Sequence, residues 1–172
     1  VEMDDMDFDG EVFEGAELTA IFGGIQCDLR NAVIEKDYAD GRENAVQTVP
    51  FADWKTAGIG GVAHYYVTFN GIAAKEMMDN VYVTIYNADG EAVSDTWTDS
   101  VCAQAMRNLA KDTISAEEKT MVVDMLNYGA AAQEEFGYNT TCLANALLSE
   151  EQKALATEST AYEDTHIGEG SY

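Results

Sequence analysis

The sequence predicts an α+β fold: an N-terminal antiparallel, β-sandwich-like half packed against a C-terminal three-helix half. Three observations carry this expectation. Apolar residues alternate with a period of two as far as residue 98 and recur with a helical period of about 3.6 beyond it. No flexible linker separates the two stretches, and the chain holds a single proline, Pro50. Of the 172 residues 47% are hydrophobic, enough for one shared core despite 32 acidic against 9 basic residues. The halves are residues 1–98 and 99–160, and 161–172 form a tail.

The β half is expected to contain six or seven strands. Ala16 to Phe22 alternates, with Leu18 on one face together with Ala16, Ala20 and Phe22. Gly23-Gly24 reads as a turn, and Ile25 to Glu35 as a second strand with Cys27, Leu29 and Val33 inward. Tyr38-Ala39-Asp40-Gly41 is a turn signal. Ala45 to Val49 is a short strand closed by Pro50, as suits a sheet edge. Val62 to Phe69 places Ala63, Tyr65, Val67 and Phe69 on one face and His64, Tyr66 and Thr68 on the other. Ala73 to Asp79 reads as one helical turn. Val81 to Asn87 sets Val81, Val83 and Ile85 against Tyr82, Thr84 and Tyr86. Asn87-Ala88-Asp89-Gly90 is a hairpin turn, in which Asp-Gly supplies the positive φ. Glu91 to Thr98 is the expected return strand.

In the helical half, Asp99 or Ser100 caps a helix running to about Lys111, with Val101, Ala105, Met106 and Leu109 on its apolar side. Ser115-Ala116-Glu117-Glu118 is a capping box that opens a long helix to about Phe136. Met121, Met125, Tyr128, Ala132 and Phe136 make its apolar stripe, joined by Val122, Leu126 and Gly129. A glycine in mid-helix costs about 1 kcal/mol relative to alanine. The smooth patch Gly129-Ala130-Ala131-Ala132 therefore predicts a second backbone packed very close to it. Gly137 stops the helix, and Ser149-Glu150-Glu151-Gln152 begins a last short one.

Charge narrows the function. A formal net charge of −23 repels phosphate backbones and anionic lipid, which argues against nucleic acid and membrane surfaces as partners. Asp5, Asp7, Asp9 and Gly10 match the first half of a calcium loop, but the twelfth position, which needs a bidentate Glu, is Ala16. No bound cofactor is expected. Cys27, Cys102 and Cys142 lack the close pairing of a zinc site. They read as buried thiols, with a Cys102–Cys142 disulfide as the open alternative. The two histidines, His64 and His166, sit in no triad-like setting, and nothing marks a polarised acid–base pair, so the chain is expected not to be an enzyme. The remaining chemistry is binding surface. Tyr66, Thr68, Tyr82, Thr84 and Tyr86 lie opposite the expected core, with Trp97 at the end of the next strand. Tyrosine supplies contact area at low entropic cost together with a hydroxyl. A second candidate is the acidic helix side carrying Glu117, Glu118, Glu134 and Glu135, for a basic protein.

The segment Val122-Val123-Asp124-Met125-Leu126-Asn127-Tyr128-Gly129-Ala130-Ala131-Ala132-Gln133, followed by Phe136-Gly137-Tyr138-Asn139 and Leu143-Ala144-Asn145, resembles a repeat module found in large surface or secreted proteins of gut Firmicutes. Gly71 to Met77 and Val81-Tyr82-Val83 also fit. The resemblance covers roughly residues 60–158 well and the first half loosely. It implies a β-plus-α unit of adhesin-like, cellulosome-associated or immunoglobulin-binding proteins, outside the cell, with no settled activity. The tail from His166 to Tyr172 echoes Asp7 to Phe13, which implies one unit of a tandem array with neighbouring repeats. The motif residues read as structural: Tyr128, Gly129 and Ala132 for close packing, Asn127, Gln133 and Asn139 for satisfying backbone groups. The expected function is a non-catalytic binding or adhesion module for a protein such as a host immunoglobulin or another host glycoprotein. The alternatives are a carbohydrate-binding module of a polysaccharide-degrading assembly and a structural spacer.

Overall fold

The computed structural model describes the backbone of residues 16–23, 29–59 and 62–157, and side chains within 31–55 and 65–157. Asp5, Asp7, Asp9, Cys27 and the 161–172 tail lie outside the described residues.

Among the described residues, seven antiparallel strands form two sheets. β1 (Ala16–Gly23), β5 (Val62–Ile72) and β4 (Lys55–Ile59) make a three-stranded sheet with β5 central. β3 (Ala45–Pro50), β2 (Leu29–Lys36), β6 (Val81–Asn87) and β7 (Trp97–Asp99) make a four-stranded sheet in that order. Pro50 ends the edge strand β3, where a missing N–H costs least. Three α-helices follow: α1 (Val101–Leu109), α2 (Ala116–Glu135) and α3 (Glu150–Lys153). The architecture is α+β, with the last strand ending at Asp99 and the first helix beginning at Val101.

One core joins both sheets to the helices. Ala32, Ile34, Val81, Val83 and Ile85 line the inner face of the four-stranded sheet. They meet Val67, Phe69 and Ile72 of β5, Val101, Cys102, Ala105 and Leu109 of α1, and Val122, Val123 and Leu126 of α2. Trp54 bridges the sheets: its Nε1 donates to the Val49 carbonyl at 3.0 Å, and its ring stacks edge-on to Phe51 and Tyr65.

The caps match the sequence expectation. Ser100 Oγ accepts from Ala103 N at 3.1 Å. Ser115 Oγ accepts from Glu118 N at 3.2 Å, and Ser115 N donates to Glu118 Oε2 at 2.7 Å. Gly90 (φ +80°) closes the β6 turn, and Gly137 (φ +61°) ends α2. The close approach predicted at Gly129 is present. A Cβ there would lie 2.7 Å from Met77 Sδ and 3.2 Å from both the Ala74 carbonyl oxygen and Ala144 Cβ.

Several expectations need correction. In β2 the buried residues are Ala32, Ile34 and Lys36, whereas Val33 lies on the outer face. Ala32 and Ile34 turn inward, and Lys36 is accommodated on the same face because its ammonium pairs with buried Glu76 and Asp79. In α2 the buried set is Val122, Val123, Leu126, Gly129, Ala130 and Gln133. Met121, Tyr128 and Phe136 are exposed, so Tyr128 takes no part in close packing. β4 has no counterpart in the sequence reading. The return strand expected over Glu91 to Thr98 shrinks to a Tyr86–Ala92 bridge and the three residues of β7. Ser94 explains the gap: its Oγ takes the Ile85 N–H at 2.9 Å, a bond the ladder would otherwise use. Cys102 and Cys142 are free thiols: Cys102 is buried, its Sγ donating to the Ala144 carbonyl at 3.2 Å, whereas Cys142 is exposed rather than buried.

Candidate functional site

Strand alternation sorts the four-stranded sheet into two faces. The residues opposite the core face are Val33 and Glu35 on β2 and Tyr82, Thr84 and Tyr86 on β6. Register then sets the rows, because directly opposed residues share a face. Val46, Glu35, Tyr82 and Thr98 make one row across all four strands; Thr48, Val33 and Thr84 make the next; Pro50, Asn31 and Tyr86 the third. The Thr84 and Thr96 hydroxyls meet at 2.7 Å and extend the middle row.

Val33, Glu35, Tyr82, Thr84, Tyr86 and Thr96 line an open concavity of about 370 Å³ on this face. The opposite face, with Ile34, Val83 and Ile85, is buried in the core shared with β5, α1 and α2. Tyr82 and Tyr86 stand four residues apart, about 13 Å along the strand, with Thr84 between them. Their rings are half-buried, which fixes them without hiding them. Tyr82 Oη donates to Asp37 Oδ2 at 3.0 Å. That hydrogen bond, with burial and the Asp37 charge adding to it, raises the phenol above its ordinary value, so Tyr82 is neutral across the physiological range. Glu35 Oε1 accepts from Asn44 Nδ2 at 2.6 Å, which positions the carboxylate of the concavity. The surface thus offers two aromatic edges, two hydroxyls, one oriented carboxylate and an apolar floor at Val33. It suits recognition.

Of the six site residues expected from the sequence, Tyr82, Thr84 and Tyr86 come together here. Tyr66 and Thr68 do not. They belong to β5 in the other sheet, where Tyr66 stands opposite Lys55 and Ile21. Trp97 is opposite Val83, and its side chain packs against the core, so it does not share the tyrosine face. Val33, Glu35 and Thr96 are additions that sequence reading missed. The missing signal is the β2–β6 pairing, which is not written in the local pattern of either strand.

A second polar cluster lies inside the molecule. Lys36 is 1% exposed, and its Nζ is 3.1 Å from both Glu76 Oε2 and Asp79 Oδ2. The Tyr138 hydroxyl donates to Asp79 and accepts from Ala39 N at 2.9 Å. Arg42 Nη2 donates to Glu76 Oε1 at 2.8 Å. Burial works to raise the Glu76 carboxyl, but the Arg42 and Lys36 hydrogen bonds outweigh it and hold it below the ordinary value. Every charge here is paired, so the cluster reads as a clasp tying β2, the 74–79 turn and the loop after α2. Sequence reading missed it as well. Among the described residues no group of three or more His, Cys, Asp or Glu side chains is placed to hold a metal, and no helix is long and apolar enough to cross a membrane.

No protein-family profile matches the sequence, and a comparison with curated proteins finds no match. Among solved structures the chain is similar to astrotactin-2, a conserved vertebrate-specific, perforin-like membrane protein involved in neuronal development, at 12% identity and a TM-score of 0.34. That alignment covers 81% of this chain and 35% of the astrotactin-2 chain, and a likeness this distant carries no functional argument.

Proposed function

We propose that this chain is a non-catalytic, extracellular binding module of a repeat-bearing bacterial surface protein, and that it takes a protein partner on the outer face of its four-stranded sheet. One observation carries the reading: the concavity lined by Tyr82, Thr84, Tyr86, Thr96, Val33 and Glu35 lies on a face that neither the core nor the helices use. Its mixed lining favours a protein over a sugar. A glycan platform wants flat aromatic rings as its main surface, whereas here hydroxyls, a carboxylate and an aliphatic floor separate the two tyrosines. Tyrosine-rich, hydroxyl-rich surfaces of this composition are what rigid protein-binding faces use. The extracellular setting and the tandem arrangement rest on the sequence resemblance, as does the choice of host immunoglobulin as the first partner to try.

The test is equilibrium binding of the purified module to immobilised immunoglobulin and to a panel of purified host secreted glycoproteins, with a glycan array in parallel. Saturable protein binding supports the reading. A glycan hit on the same face would replace it with a carbohydrate-binding module, and silence on both panels would leave a spacer.

A further inference from the structure

Helix α2 carries more apolar surface than the core consumes. Its buried side is centred on Leu126 and Gln133. Met121, Met125, Tyr128, Ala132 and Phe136 form a second stripe, about 100° further round the helix. Met121 is 52% exposed, Tyr128 63% and Phe136 70%. Met125 and Ala132 are half-buried beneath them. A row of large apolar side chains kept in water along a whole helix marks an interaction site.

The border of the stripe says what fits it. Glu117 stands one turn before Met121, Asp124 lies between Met121 and Tyr128, and Glu135 lies two turns beyond Tyr128, all on one flank. Glu118 and Glu134 are exposed on the same helix. The nearby cations are fewer: half-buried Lys119, and Lys75, whose Nζ sits 5.3 Å from the Phe136 ring. A second copy of this chain would bring another −23 charges to the contact, and an anionic membrane would be repelled in the same way. We infer that this stripe docks a Lys/Arg-bearing amphipathic helix of another protein. The apolar side of that helix lies along Met121, Tyr128 and Phe136, and its cations face Glu117 and Glu135, since both Asp124 oxygens accept from Thr157. From Met121 to Phe136 the stripe is about 22 Å long, which is about four helical turns. This surface lies on a different element from the sheet concavity, so the inference goes beyond the proposed function.

The experiment titrates the full chain with a labelled Leu/Lys amphipathic helical peptide and follows anisotropy, with a Leu/Glu peptide of the same pattern as control. Saturable one-to-one binding of the Lys peptide alone is expected, and it weakens by about tenfold or more in Tyr128→Ser/Phe136→Ser. Both substitutions are at exposed sites, and circular dichroism checks that the fold is kept. Three results would overturn the inference. One is no saturable binding of the Lys peptide. Another is undiminished binding by the double variant, which reduces the effect to net charge. The third is a dimer in light scattering that the double variant dissolves.

Discussion

Gly129 sits where the helix meets other chain segments too closely for a side chain. A Cβ would press on Met77 Sδ at 2.7 Å and on the Ala74 carbonyl at 3.2 Å. The gain in helix propensity from alanine is about 1 kcal/mol, while overpacking costs about 1–3 kcal/mol. Gly129→Ala is therefore expected to lose about 1 kcal/mol in urea unfolding, against the gain the same change brings in an open helix. The Lys36 clasp makes a second prediction. Glu76 is held below its ordinary value, so its contribution is present above the unfolded carboxylate range, about 4.3, and is lost as pH falls through the folded value. Glu76→Gln should cost about 2 kcal/mol at neutral pH, and the gap to the parent should close in acid. A gap that widens on acidification contradicts the clasp. The third prediction concerns the thiols. Burial, with a smaller contribution from neighbouring Cys142, pushes the Cys102 thiol up to about 11. Iodoacetamide at neutral pH should label exposed Cys142 and spare Cys102 until the chain is denatured, as peptide mapping by mass spectrometry would read. At this scale the close-approach glycine was legible, because a glycine in mid-helix weakens the helix unless a neighbouring segment needs the space. The clasp was not. Lys36, Glu76, Asp79 and Tyr138 come from three separated segments, and nothing local marks a lysine as buried.

Element boundaries follow local chemistry, so most of them were readable. The Ser115 capping box opens α2, Ser100 caps α1 and Gly137 ends α2, as the spacing of Ser, Glu and Gly predicts. Ser115→Ala should lower stability by about 1 kcal/mol, visible as an earlier helical melt in far-ultraviolet circular dichroism; an unchanged melt would mean that packing alone fixes the start of α2. What failed at this scale was phase. α2 has two apolar stripes, and the sequence pattern favours the one that ends up in water. Burial instead went to Val122, Val123, Leu126 and Ala130, because the 74–77 turn and Ala144 need the flat side of the helix at Gly129. β2 failed similarly: Ala32 and Ile34 turned inward together with Lys36. β4 was missed because Lys55 to Ile59 is a plain edge strand whose place is given by β5.

At the scale of the whole molecule, the two faces of the four-stranded sheet differ in chemistry. One face of the four-stranded sheet is buried in the core shared with β5, α1 and α2, and the other carries the tyrosines. The α+β class and the order of halves were legible from periodicity, because a change of period survives any error of register. Half of the candidate site was legible too. Tyr82, Thr84 and Tyr86 share one strand, and alternation alone groups them. Tyr66 and Thr68 fall in the other sheet, and Trp97 is turned to the core by its register opposite Val83; sheet membership and register are properties of the assembled sheets. The central claim is that this sheet face binds the partner, and Tyr86 is the cleanest probe of it, since Tyr82 also serves Asp37 through its hydroxyl. The deciding measurement is a side-by-side titration of the parent and Tyr86→Ala against immobilised immunoglobulin. The account predicts saturable binding that weakens about tenfold or more in the variant. Equal binding by the two proteins, or none by the parent, would contradict it.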